Sequence, residues 1–203
     1  MKRILSALAL ALALSALPVE ARADVFVLTT TLTGANEVPP TGSTGIGSAL
    51  VTLDTVTNLM TVNVAFAGLV SPTTVAHIHC CAGPGGLAIP ATTVPTFPGF
   101  PVGVTTGTYL HTFDLTLASS YNPAFITAHG GTVAGAEADF VAALLAGQTY
   151  LNIHTTLFPN GEIRGQLAQA QPVPEPATLV LLGAGLAGVA GAARRGRKVA
   201  RDA

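Results

Sequence analysis

Apolar and polar residues alternate in Met60-Thr61-Val62-Asn63-Val64-Ala65-Phe66, with Thr61, Asn63 and Ala65 opposite the larger apolar side chains. A period of two marks a strand with one face turned to a core. This segment belongs to a predicted strand over 59–67, and six more segments rich in β-branched and aromatic residues read the same way: 25–33, 46–54, 74–79, 109–117, 149–155 and 162–167. Between them stand Gly34-Ala35-Asn36, Pro39-Pro40, Thr57-Asn58, Gly68, Ser71-Pro72 and Pro159-Asn160-Gly161, residue types that reverse the chain. Asn160-Gly161 is the strongest hairpin signal among them. Only one internal segment has helical spacing: 137–146, with Phe140, Val141, Leu144 and Leu145 on one face and Gly147 as a stop. From Ala82 to Gly107 the chain carries Pro84, Pro90, Pro95, Pro98 and Pro101, so this stretch reads as a long loop. Loops of such length either bind something or are disordered. The sum is an all-β domain over residues 24–171, an antiparallel β-sandwich with one short helix.

The two ends follow other rules. Lys2 and Arg3 precede an apolar run from Ile4 to Leu17, then Pro18, then Ala21-Arg22-Ala23. This is the layout of a secretory signal peptide over 1–23, with Ala21 and Ala23 as the small residues before a cut at Asp24. At the other end Pro174-Glu175-Pro176 leads into an uncharged run from Ala177 to Ala193, followed by Arg194-Arg195-Gly196-Arg197-Lys198. Seventeen residues lie at the short limit of a single membrane-crossing helix, and the basic cluster should stay on the cytoplasmic side. These three ordered elements, over residues 172–203, resemble the PEP-CTERM sorting signal of Gram-negative bacteria. The resemblance implies recognition and removal of the tail by an exosortase, after a transient inner-membrane anchor. Gly183-Ala184-Gly185-Leu186-Ala187-Gly188 inside that tail has the spacing of a dinucleotide fingerprint, but the chain lacks the βαβ unit and the later acid that the fingerprint needs.

Charge divides along the same lines. Of 203 residues, 49% are hydrophobic and only 9% charged, and eight of the nine basic residues sit in the ends. Between Asp24 and Gln171 the single cation Arg164 faces seven carboxylates. Such a surface cannot neutralise a phosphate backbone, so nucleic acid is not an expected partner. Arg164 should pair with a carboxylate. Glu162, two residues away, is the nearest in sequence, and Asp54 or Asp114 would come from another strand.

All five histidines lie in the body. On a strand His77 and His79 point to one face, where both imidazoles reach one metal ion if His154 supplies a third. The alternative is that these rings donate to backbone carbonyls at strand ends. His111 shares a strand face with Phe113 and reads as a partly buried packing residue, and His129, before Gly130-Gly131, as an exposed loop residue. Cys80-Cys81 follow at once, and export favours their oxidation. Adjacency, however, brings their Cα atoms to ~3.8 Å, short of the usual disulfide range. A strained vicinal disulfide, soft metal ligands beside His77 and His79, and two thiols seeking another chain all remain open. No G-x-S-x-G, H-E-x-x-H, P-loop or calcium-loop pattern occurs, and no enzymatic activity is expected.

Three stretches of the body resemble the CHRD domain: Leu32-Thr33-Gly34-Ala35-Asn36-Glu37-Val38-Pro39-Pro40, Ala76-His77-Ile78-His79, and Tyr150-Leu151-Asn152-Ile153-His154-Thr155 with Pro159-Asn160-Gly161-Glu162-Ile163-Arg164-Gly165-Gln166-Leu167. That resemblance implies an immunoglobulin-like, Greek-key arrangement and a secreted, non-catalytic domain. The function expected from these readings is an exported binding or structural module of the cell envelope or extracellular matrix, in the periplasm, on the outer surface or outside. Its partners would be the secretion machinery and exosortase, then exopolysaccharide or surface proteins. His77-Ile78-His79 also resembles the metal-binding strand of copper/zinc superoxide dismutase, which would make His77, His79 and His154 ligands of copper or zinc. The alternative function is therefore a metal-binding redox protein.

Overall fold

A computed structural model describes residues 25–170; the expected signal peptide with Ala21 and Ala23, and the tail with Pro174, Glu175, Pro176, Arg194 and Arg195, lie outside the described residues. The domain is mostly β. Its strands are β1 (Val25–Thr33), β2 (Ile46–Asp54), β3 (Leu59–Ala67), β4 (Thr73–Cys80), β5 (Ile89–Pro90), β6 (Gly107–Asp114), β7 (Thr149–Thr155), β8 (Ile163–Gln166) and β9 (Ala168–Gln169). All pair antiparallel, in the order β5-β4-β7-β8-β1-β2-β3-β6, with β9 also on β1.

One curled, antiparallel ladder runs through every described strand. It narrows between β8 and β1 to the single pair Thr33↔Arg164. There Gly165 lets the strands touch, because a Cβ would meet the Thr31 carbonyl and the Thr30 side chain. After Leu167 the chain changes partner, so that β9 pairs with β1 while β8 pairs with β7.

β1, β2 and β3 show why alternation works. Leu28, Leu32, Val51, Leu53, Met60, Val62 and Val64 are buried, while Thr29, Thr31, Ser48 and Asn63 face outward. Each such aliphatic side chain contributes roughly 1.5–3 kcal/mol by leaving water. β7 is different, for all seven of its residues are buried. Leu151 and Ile153 turn to the core and Tyr150, Asn152 and His154 to the other face.

The expected single helix is in fact two. Thr132 caps α2 (Val133–Leu145), which starts earlier than the apolar spacing implies, and Asn122 caps the short α1 (Pro123–Ala128). With six residues from Pro123, α1 is too short to show a helical period. The sixth strand begins and ends earlier than predicted, at Gly107 and Asp114, because Asp114 turns the chain by accepting from the Thr116 amide and hydroxyl.

The proline-rich stretch is ordered against the free edge of β4. Ala91, Phe97 and Gly103 donate backbone N–H groups to Ile78, Ala76 and Thr73, and the hydroxyls of Thr92 and Thr96 accept from the Ile78 and Ala76 amides. Phe97 and Phe100 then enter the core, Phe97 stacking on Tyr109 of β6 at 5.3 Å. This loop thereby ties β4 to β6 and turns its carbonyls toward the histidine face.

Candidate metal centre

β4 presents His77 and His79 on one face, and β7 brings His154 beside them through the pairing Val75↔His154 and His77↔Asn152. The three ring centroids form a near-equilateral triangle with sides of 5.4, 5.7 and 5.9 Å. One ring nitrogen from each lies within 4.8 Å of the others. The remaining nitrogens are held by backbone: His77 Nε2 with the Pro95 carbonyl at 2.6 Å, His79 Nδ1 with Ala88 at 2.8 Å, and His154 Nδ1 with Pro159 at 3.0 Å. A carbonyl only accepts, so each bonded nitrogen carries the proton and the other keeps its lone pair. Those others, His77 Nδ1, His79 Nε2 and His154 Nε2, are buried and have no protein partner.

Burial also decides the charge. It pushes His77 and His79 down to about 4 against the carbonyl bonds, helped by the field of His154, and it lowers His154 as well. Three neutral imidazoles turn lone pairs toward one another at neutral pH. The carbonyl bonding expected of these rings is thus present on one nitrogen of each, and the other nitrogen of each is without a protein partner. Metal-bound histidines use this arrangement, with the second nitrogen fixing tautomer and orientation.

Arg164 does not pair with Glu162. The Glu162 carboxylate accepts from Ser43 Oγ, the Val70 amide and Thr155 Oγ1, each at 2.7 Å. Asp54 and Asp114 cap turns and are not its partners either. Instead the guanidinium lies 3.9 Å above the Tyr150 ring and donates through Nη2 to the Gly86 carbonyl at 2.9 Å. The carboxylate that feels its charge is Glu37, which burial raises to about 7 despite Arg164. Cys80 and Cys81 are joined to each other across a cis peptide, with Cα atoms 3.0 Å apart, so neither sulfur is a thiol ligand or a link to another chain. His129 pairs with Asp139 at 2.8 Å, and His111 packs edge-on against Phe113.

Residues 28–167 match the family model of the CHRD domain, and residues 172–198 match the PEP-CTERM protein-sorting motif. The chain belongs to the CHRD domain family. No curated protein and no solved structure matches it. The sorting motif, which exosortase recognises, marks this CHRD protein for export and sorting through the cell envelope.

Within the CHRD domain, several residues of the site carried no sequence signal. Ala88, Pro95 and Pro159 act through backbone carbonyls, which any residue supplies. Tyr150 stacks on His79 at 4.7 Å with 8° between the planes, and its hydroxyl approaches the Ala88 carbonyl that holds His79. Glu37, within the first CHRD-like stretch, is 6% exposed and its Oε1 has no partner. Gly161 makes room for it, since a Cβ there would meet both Glu37 Oε1 and the Asn152 amide.

Proposed function

We propose that this CHRD protein is an exported, non-catalytic envelope or matrix module whose working site is a mononuclear metal centre on His77, His79 and His154. The observation that carries this reading is the set of three buried ring nitrogens without partners, on rings whose other nitrogens are anchored to Pro95, Ala88 and Pro159. Imidazole donors suit copper and zinc. The rings are 5–7% exposed, which favours holding an ion over turning over a bulky substrate. Binding to exopolysaccharide or surface proteins belongs to the outer, hydroxyl-rich face of β1–β3. The single bridge between β8 and β1 supports a Greek-key, immunoglobulin-like sandwich in which β5-β4-β7-β8 and β1-β2-β3-β6 are the facing halves.

Elemental analysis of the purified mature protein tests the metal reading against a His77→Ala, His79→Ala double variant whose fold is checked by circular dichroism. One copper or zinc per chain, lost in the variant, is expected. Equal metal content in the two folded proteins would remove the centre from the proposal.

A further inference from the structure

The surroundings of the three histidines are short of negative charge. Their outer nitrogens meet carbonyls, and among the described residues no carboxylate or thiolate joins the ligand set. Arg164, 2% exposed, is stacked on Tyr150, which in turn stacks on His79. The guanidinium lies 3.9 Å from the Tyr150 ring, and that ring lies 4.7 Å from His79, so the guanidinium charge stands one aromatic ring away from the site. Arg164 Nη1 has no partner, and among the described residues no carboxylate forms an ion pair with the guanidinium. Glu37 answers its charge only in part, because that carboxyl takes up a proton near neutral pH.

An ion entering this site therefore adds its own charge to a buried positive field. Desolvation cost rises with the square of the ionic charge and repulsion from Arg164 rises in proportion to it. A zinc ion asks in addition for a fourth ligand; among the described residues the cluster holds only the three histidines, so a water would have to be brought into the buried site. A monovalent d¹⁰ ion is satisfied by three nitrogens.

Resting on the metal reading above, we infer that the site selects copper(I) over zinc and copper(II), with His77, His79 and His154 as its complete ligand set and Arg164 as the specificity-determining residue, acting by its charge across the Tyr150 ring. Arg164 positions nothing in the ligand set directly. Its effect is electrostatic and falls on the second positive charge of a divalent ion.

The experiment loads the metal-free, full mature chain anaerobically at pH 7.5 with copper(I) held reduced by ascorbate, with copper(II), or with zinc, and reads bound metal per chain and competition between the ions. Copper(I) should bind at one per chain and displace zinc. In Arg164→Met the copper(I)-to-zinc preference should fall by about tenfold, the size of one charge acting over ~10 Å in a protein interior. Glu37→Gln, which leaves Arg164 less opposed, should hold or raise that preference; it also carries the test should Arg164→Met not fold. Zinc or copper(II) bound as tightly as copper(I) would overturn the selectivity while leaving the metal centre standing. An unchanged preference in folded Arg164→Met, or a fall in Glu37→Gln, would remove the role of Arg164. No metal bound in any form would end the metal reading itself.

Discussion

His77, His79 and His154 carry their burial as a stability that depends on pH. Each has a folded pKa below the ordinary histidine value of 6.5, so the unfolded chain takes up protons first as the pH falls. The contributions of His77 and His79 are full above about 6.5 and are lost on the way down to about 4, and that of His154 is lost in the same direction. Glu37 acts in the opposite sense. Its folded pKa of about 7 stands above the reference 4.5, so its contribution is full below 4.5 and is lost as the pH rises through 7. Three lowered histidines outweigh one raised carboxyl, and the metal-free protein should lose net stability between pH 6.5 and 4. Urea unfolding across that range checks this; stability that is flat or rises toward pH 4 would show that the rings are not buried neutral. Bound metal should deepen the fall on acidification, since the proton and the ion compete for the same lone pairs. The His-x-His spacing was readable because two residues along a strand share a face. The partner of Arg164 was not, because closeness in sequence favoured Glu162 while the fold offered Tyr150.

The loop from Ala82 to Gly107 turns strands into a site. Its only regular pairing is β5 on β4, two residues long, yet it fixes two of the three histidine carbonyls. Phe97 anchors it, with 0% exposure, among Tyr109, Phe100 and Phe113. Phe97→Ala should cost about 3–5 kcal/mol and weaken metal retention, because Pro95, two residues away, holds His77. Denaturant titration together with metal content after dialysis measures both effects; a loss under about 1 kcal/mol with full retention would show that the loop needs no such anchor. β1, β2, β3 and β7 match their predicted bounds because alternation and turn residues are local signals. β5 and β9 have two residues each, too few for a period, and exist only through their partners. The five prolines announced a loop but not its course along β4.

For the whole molecule, the sequence separates transport from work. The cationic ends read as sorting signals, and the tail matches the PEP-CTERM motif. The body between them is an antiparallel CHRD domain with one buried cation. All-β character and the CHRD match were legible from strand periodicity and three motifs. The single curled ladder was not, since it depends on the Thr33↔Arg164 bridge that no local pattern specifies. Whether the buried triangle is a metal centre is the claim on which the functional account stands. X-ray absorption at the metal edge of the mature, metal-loaded protein tests it most directly. The account predicts three imidazole nitrogens at about 2.0 Å and no sulfur in the first shell. Sulfur neighbours, a shell of oxygen alone, or a protein that retains no metal would contradict it.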